Sequence, residues 1–227
     1  MASLSELARA RTSLDDRAVE HLQRLVGSWA MLADLSFADL LVYAPTDAGA
    51  SAFVVLAHAR SSSGTTVYPG DPVGDEVSSE RRPLLARTLT EGRPAEGLII
   101  RHDGASPAAG DDDMVEEDIR LPGLGRRLVV DYVPVRFENR VVAVMTREAE
   151  PALLRHHTTA ESTYRAVFER LVAMVSEGTF PLGREERVGE FREPRVGDGV
   201  LLVDSEGQVE FGSPNGVSAL HRLGVLG

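Results

Sequence analysis

The stretch RRLVVDYVPVRFENRVVAVMTRE, residues 126–148, constrains the fold of this chain more than any other. Two apolar runs of strand composition flank Glu138-Asn139, a pair suited to a tight turn. Strands joined that closely pair antiparallel, because a parallel crossover needs a dozen or more residues. Two earlier runs, FADLLVYA and SAFVVLAHAR, are joined the same way through PTDAGA, and GLIIRHD is a further strand. Between them SSSGTTVYPGDPVG reads as a loop or irregular edge.

Helical periodicity brackets these strands. Ser13 is placed to cap a helix with Asp15 and Asp16 in its first turn. Leu14, Ala18, Leu22, Leu25, Trp29 and Leu32 then recur at steps of three and four, which predicts one helix over 14–34. Ser78 or Ser79 would cap a short helix in SERRPLLARTLTEG, with Pro83 in or near its first turn and Gly92 ending it. Thr158 and Glu161 match a capping box, followed by Tyr164, Phe168, Leu171 and Val175 on one stripe, until EGTFPLG stops the helix. Strands linked by short turns, with helices at both ends, define an α+β fold around an antiparallel sheet.

The organisation expected is a helical segment over 1–37, a sheet domain over 38–150, a signalling helix over 151–180 and a charged, Pro/Gly-punctuated linker over 181–197. Residues 198–227 begin something else: strand 200–203, turn 204–207, strand 208–211 and a helix opened by Ser213-Pro214-Asn215. Two strands and a helix cannot enclose a core, so this piece is expected to be disordered or held by docking, with an exposed apolar edge.

Composition removes whole classes of chemistry. With no Cys the chain has no disulfide, thiolate metal site or thiol nucleophile. With no Lys it has no Walker lysine, and its glycines do not match a dinucleotide fingerprint. No nucleophile elbow occurs, and we assign no catalytic residue. A net charge of −11 without a basic block argues against binding a nucleic-acid backbone. No apolar run approaches the roughly 18 residues that span a bilayer, so a cytoplasmic location is expected. The acidic run Asp111-Asp112-Asp113 with Glu116, Glu117 and Asp118 lacks calcium-loop spacing and reads as a solvated loop. The pairs His156-His157 and His102-Asp103 lack metal-ligand spacing, and no metal site is assigned. What remains is a binding or sensing module.

Position on a strand or loop singles out His58, Tyr68, Arg101 and Tyr132 as polar candidates for a ligand pocket. The walls of such a pocket would come from the sheet face and residues 93–120. The two helical stripes either pack on the chain's own sheet or form a bundle across a homodimer. Leu22, Leu25, Trp29, Tyr164, Phe168 and Leu171 are the candidates for that helix packing.

Residues 38–148 resemble a GAF domain, a six-stranded antiparallel sheet with helices on one face and a ligand pocket on the other. The resemblance rests on the order of elements and on DYVPVRFENRVVAVMTRE, which is similar to the GAF closing hairpin; Ala143 stands where many GAF domains have Gly. The segment VGDGVLLVDSEGQVEFGSPNGVSALHRLG is similar to the start of a PAS domain. Together with LADLSFADLLVYAP, STYRAVFERL and EGTFP, these segments resemble actinobacterial sensor histidine kinases of the PdtaS type.

The resemblance implies a two-component kinase that phosphorylates itself on His and passes the phosphoryl group to an RNA-binding antiterminator response regulator. ATP and magnesium would belong to a kinase core outside this chain, which lacks the phosphoacceptor segment and ATP-lid boxes; the residues present require no cofactor. His221 lies in PAS-like sequence and is not assigned as phosphoacceptor. A small-molecule ligand is one expectation, and a ligand-free GAF dimerisation module or a regulator of another chain is the other. A GAF enzyme of the methionine sulfoxide reductase sort needs cysteines and is set aside.

Overall fold

The computed structural model describes residues 3–62, 66–101, 126–151, 159–181 and 195–224. Helices α1 (Leu4–Arg11), α2 (Asp16–Val26) and α3 (Trp29–Ser36) precede strands β1 (Asp39–Pro45), β2 (Ala52–Ala59) and β3 (Glu76–Ser78). Helix α4 (Pro83–Glu91), strands β4 (Ala95–Arg101), β5 (Arg126–Phe137) and β6 (Arg140–Ala149), and helix α5 (Thr159–Glu177) follow. A 3-10 turn (Val196–Asp198), β7 (Leu201–Val203), β8 (Val209–Gly212) and α6 (Pro214–Arg222) close the described chain.

Six strands form one sheet in the order β3-β2-β1-β6-β5-β4, every neighbouring pair antiparallel. The β5–β6 hairpin turns on Glu138 and Asn139, with φ of 48° and 63°. Two successive positive φ values match the right-handed twist of the strands they join, so the turn sets the register Phe137↔Arg140.

Alternation along the strands divides the core in two. Leu40, Val42, Val54, Leu56, Val133, Val135 and Met145 face α1, α2, α3 and α5. Leu41, Tyr43, Phe53, Val55, Val130, Tyr132 and Val144 face the opposite way, toward α4 and the loop carrying Tyr68. Full burial of each large side chain on these faces contributes roughly 1.5–3 kcal/mol.

The single helix expected over 14–34 is two helices. Gly27 ends α2 and α3 starts after Ser28, whose φ of −112° and ψ of 7° are not helical. The apolar stripe crosses the break because both helices lie on the same sheet face. The cap is Asp15 rather than Ser13: its carboxylate accepts from the Ala18 N–H at 2.8 Å. Helix α1 lies before that periodicity and carries its own capping box, Ser3 with Glu6. At α4 the N-cap position is Arg82, with Pro83 in the first turn; Ser78 instead accepts from Arg81 N–H one turn earlier. The proposed Thr158 cap and the acidic run 111–118 lie outside the described residues.

The terminal hairpin and α6 are docked, not free. Val196 packs against the helix-side core, and Phe211 meets Tyr164 of α5 edge-on at 5.8 Å. Gly199, at φ 127°, lies so close to Gly216 that a Cβ there would stand 2.7 Å from the Gly216 nitrogen. Strand β7 pairs with β8 from Leu201↔Gly212 to Val203↔Val209, and the Val203 and Val209 side chains are just over half exposed.

Candidate functional site

On the α4 face the strands bring polar side chains together in a buried cluster. Tyr43 on β1, Tyr132 on β5, and Thr146 and Glu148 on β6 point to the same side by strand alternation. Arg82 enters from the start of α4 and Tyr68 from the loop after β2. The Arg82 guanidinium donates from both terminal nitrogens to Glu148 Oε1, each at 3.1 Å. It also donates to the hydroxyls of Tyr43 at 2.9 Å and Tyr132 at 2.8 Å. Tyr68 donates to Glu148 Oε2 at 2.5 Å and Thr146 to Oε1 at 3.0 Å.

The Arg82 and Glu148 side chains are 1% and 0% exposed, so neither charge has water to support it. Such a pair persists only when its hydrogen bonds are nearly all made. Burial pushes the Tyr68 hydroxyl well above its ordinary pKa, and the charge on Glu148 pushes it further. Burial alone would lower the Arg82 guanidinium, but Tyr132, Tyr43 and Glu148 around it hold it well above its usual value. Arg82 and Glu148 thus form a buried ion pair enclosed by the three tyrosine hydroxyls and Thr146. The cluster ties the end of β6 to α4 and to the Tyr68 loop.

Three of the four pocket candidates belong to this face. Tyr68 and Tyr132 are in the cluster, and the His58 ring meets Tyr68 edge-on at 5.2 Å. His58 Nε2 stands 3.9 Å from Asp39 Oδ2, itself held by Val67 N–H and Thr66 Oγ1, both at 2.7 Å. Arg101 ends β4 opposite Arg126, on the far edge strand, and its side chain lies outside the described residues. Position in the sequence did not point to Arg82, Glu148, Tyr43 or Asp39. Arg82 sits in an ordinary Glu-Arg-Arg-Pro run, and Glu148 reads as the polar end of a strand. The alternation of Tyr43 with the inward residues of β1 was the available signal.

The helix-packing candidates divide differently. Leu22, Leu25, Trp29 and Phe168 are buried within the chain, while Tyr164 and Leu171 are half-buried against the same core. Tyr164 lies between Phe37, at 6.3 Å, and Phe211. At the other end of α5, Arg136 on β5 donates to Ser176 C=O at 3.0 Å and to Gly92 C=O, at the end of α4, at 3.2 Å. Among the described residues no helix is long and apolar enough to cross a membrane.

A curled antiparallel sheet with helices on one face and a polar cluster under α4 on the other defines a GAF-type sensor fold. The family model described as "Histidine kinase PdtaS, GAF domain" matches residues 4–167, and the chain belongs to that family. It is 37% identical to the sensor histidine kinase PdtaS of Mycobacterium tuberculosis (strain H37Rv), over 99% of this chain and 41% of that protein. It is 34% identical to PdtaS of Mycolicibacterium smegmatis, with the same shares. A solved structure described as the sensor region of a sensor histidine kinase superposes with a TM-score of 0.73 at 34% identity. That match covers 100% of this chain and 70% of the other. The chain thus spans about two fifths of the length of these curated relatives.

Proposed function

We propose that this chain is the cytosolic input region of a two-component sensor histidine kinase, and that it controls the kinase through the seating of α5. One observation carries the reading: α5 is held at both ends by different parts of the molecule. Its last turn is bound through Arg136 to the sheet and to the end of α4, while Tyr164 near its start touches the terminal hairpin. A change on the α4 face therefore has a continuous packed route to α5 and on to the PAS-like segment.

A signal acts by favouring one seating of α5 over another, and only a ligand with different affinity for the two seatings shifts the balance. The parent kinase works as a homodimer. Val167, Leu171 and Met174 form a half-buried apolar flank on α5, at helical spacing, that supports a second copy there. Phosphoryl transfer to an RNA-binding antiterminator response regulator is the output implied by the family.

The test is autophosphorylation of the full-length polypeptide with labelled ATP, with and without residues 3–181. Label on a His beyond residue 227, at a rate that changes when the segment is removed, supports the reading. No label, or the same rate in both proteins, overturns it.

A further inference from the structure

Beside the α4-face cluster, a groove of about 510 Å³ opens between the helices and the end of β2. Val26, Trp29, Ala30 and Ala59 give it an apolar floor, and Arg60, Asp71 and Arg195 stand at its polar rim. His58 completes the wall. Among the residues lining it, Trp29 Nε1 and His58 Nε2 are buried without a hydrogen-bond partner among the described residues, the latter 3.9 Å from Asp39 Oδ2.

The rim contains two guanidiniums. Arg60 spends one nitrogen on Gly70 C=O at 2.7 Å. Arg195 stands 4.0 Å from Asp34 Oδ2, a buried carboxylate oxygen with no hydrogen bond of its own. Asp34's other oxygen is satisfied by Ser62, through both N–H and hydroxyl at 2.7 Å. Arg195 is thus held loosely, half exposed, by a long ion pair immediately before the 3-10 turn that leads into β7.

We propose that this groove binds a small organic anion, a carboxylate or phosphate monoester with an apolar body, and that the anion competes with Asp34 for Arg195. The proposal rests on the sensor reading above and gives it a ligand class. The apolar body lies on Trp29, Ala30 and Ala59, and the anionic group takes the two guanidiniums in charge-assisted hydrogen bonds. Drawing Arg195 away from Asp34 moves the start of the 3-10 turn, whose Val196 lines the adjoining cleft with Tyr164. Binding is thereby linked to the α5 seam.

Trp29 is the one tryptophan of the chain, so its fluorescence reports the groove directly. The chain is titrated with benzoate, phenyl phosphate, inorganic phosphate and benzyl alcohol, with calorimetry in parallel. Benzoate or phenyl phosphate is expected to saturate, and the tighter of the two identifies the head group. Inorganic phosphate and benzyl alcohol each lack half of the recognition and bind roughly ten-fold weaker or worse. Arg60→Gln and Arg195→Gln each weaken binding about ten-fold, while Asp34→Asn strengthens it by releasing Arg195. Circular dichroism confirms that each variant is folded. No saturation by either aromatic anion overturns the proposal, as does binding that ignores both arginine changes or a benzyl alcohol affinity equal to that of benzoate. None of these failures touches the autophosphorylation test, so the two readings fail separately.

Discussion

Arg82 and Glu148, 66 positions apart, meet at 3.1 Å with both side chains shut off from water. That pair closes the α4 face of the sheet and joins three elements that local sequence does not connect. Its stability consequence is asymmetric: losing one partner strands the other charge in a dry site. Arg82→Met or Glu148→Leu alone should cost about 3–5 kcal/mol, whereas the double variant should cost less than the sum of the two, since no charge is left stranded and only the hydroxyls around the pair lose partners. Urea denaturation of the four proteins measures the cycle; a double variant as damaged as the sum of the singles would contradict it.

His21 is an acid-sensitive group of the helix-side core. It is buried on α2 with its ring 4.8 Å from Phe137, and burial, aided by the charge on Arg24, lowers its pKa from 6.5 to about 4. Below pH 6.5 the unfolded chain takes up the proton and the folded chain does not, so acid favours unfolding. Stability from this group is complete above about pH 6.5 and declines as pH falls toward 4, by about 2 kcal/mol at pH 5. His21→Phe should flatten that part of the pH profile; an unchanged profile would show that other groups cause the loss.

The terminal unit should unfold separately when its glycine contact is spoiled. Gly199 has φ 127°, and a Cβ there meets Gly216 backbone atoms at 2.7 and 2.8 Å, where no side chain can move aside. Gly199→Ala should raise hydrogen exchange in β7, β8 and α6 by ten-fold or more, which corresponds to about 1.4 kcal/mol, and leave β1, β5 and β6 protected. Equal loss of protection across the whole sheet would mean that the two parts unfold together.

Much of this fold was legible because it depends on local signals. The Glu138-Asn139 turn, the inward alternation of β1 and β2, Pro83 and Gly92 at the ends of α4, and Ser213 at the start of α6 all use chemistry confined to a few residues. The break at Gly27-Ser28 was hidden because the sheet below imposes one continuous apolar stripe on two helices. Helix α1 fell outside the periodic region although Ser3 and Glu6 carry a capping signature.

The site was only half legible for a different reason. Tyr68, Tyr132 and His58 are conspicuous polar or aromatic residues in apolar strands or next to a loop. Arg82 and Glu148 look like surface charges until the sheet brings β6 beside β1 and α4 covers both. Burial of a charge is a property of tertiary structure, and no local pattern encodes it.

Tyr164→Ala in the proposed parent kinase, compared with Tyr164→Phe, tests most directly whether α5 relays a signal. Tyr164 is half-buried between Phe37 and Phe211, so alanine removes the ring contacts to both while phenylalanine keeps them. The account predicts that Tyr164→Ala changes the autophosphorylation rate several-fold, in either direction, while Tyr164→Phe stays near wild type. If both variants, verified as folded, autophosphorylate at the wild-type rate, α5 does not carry the signal.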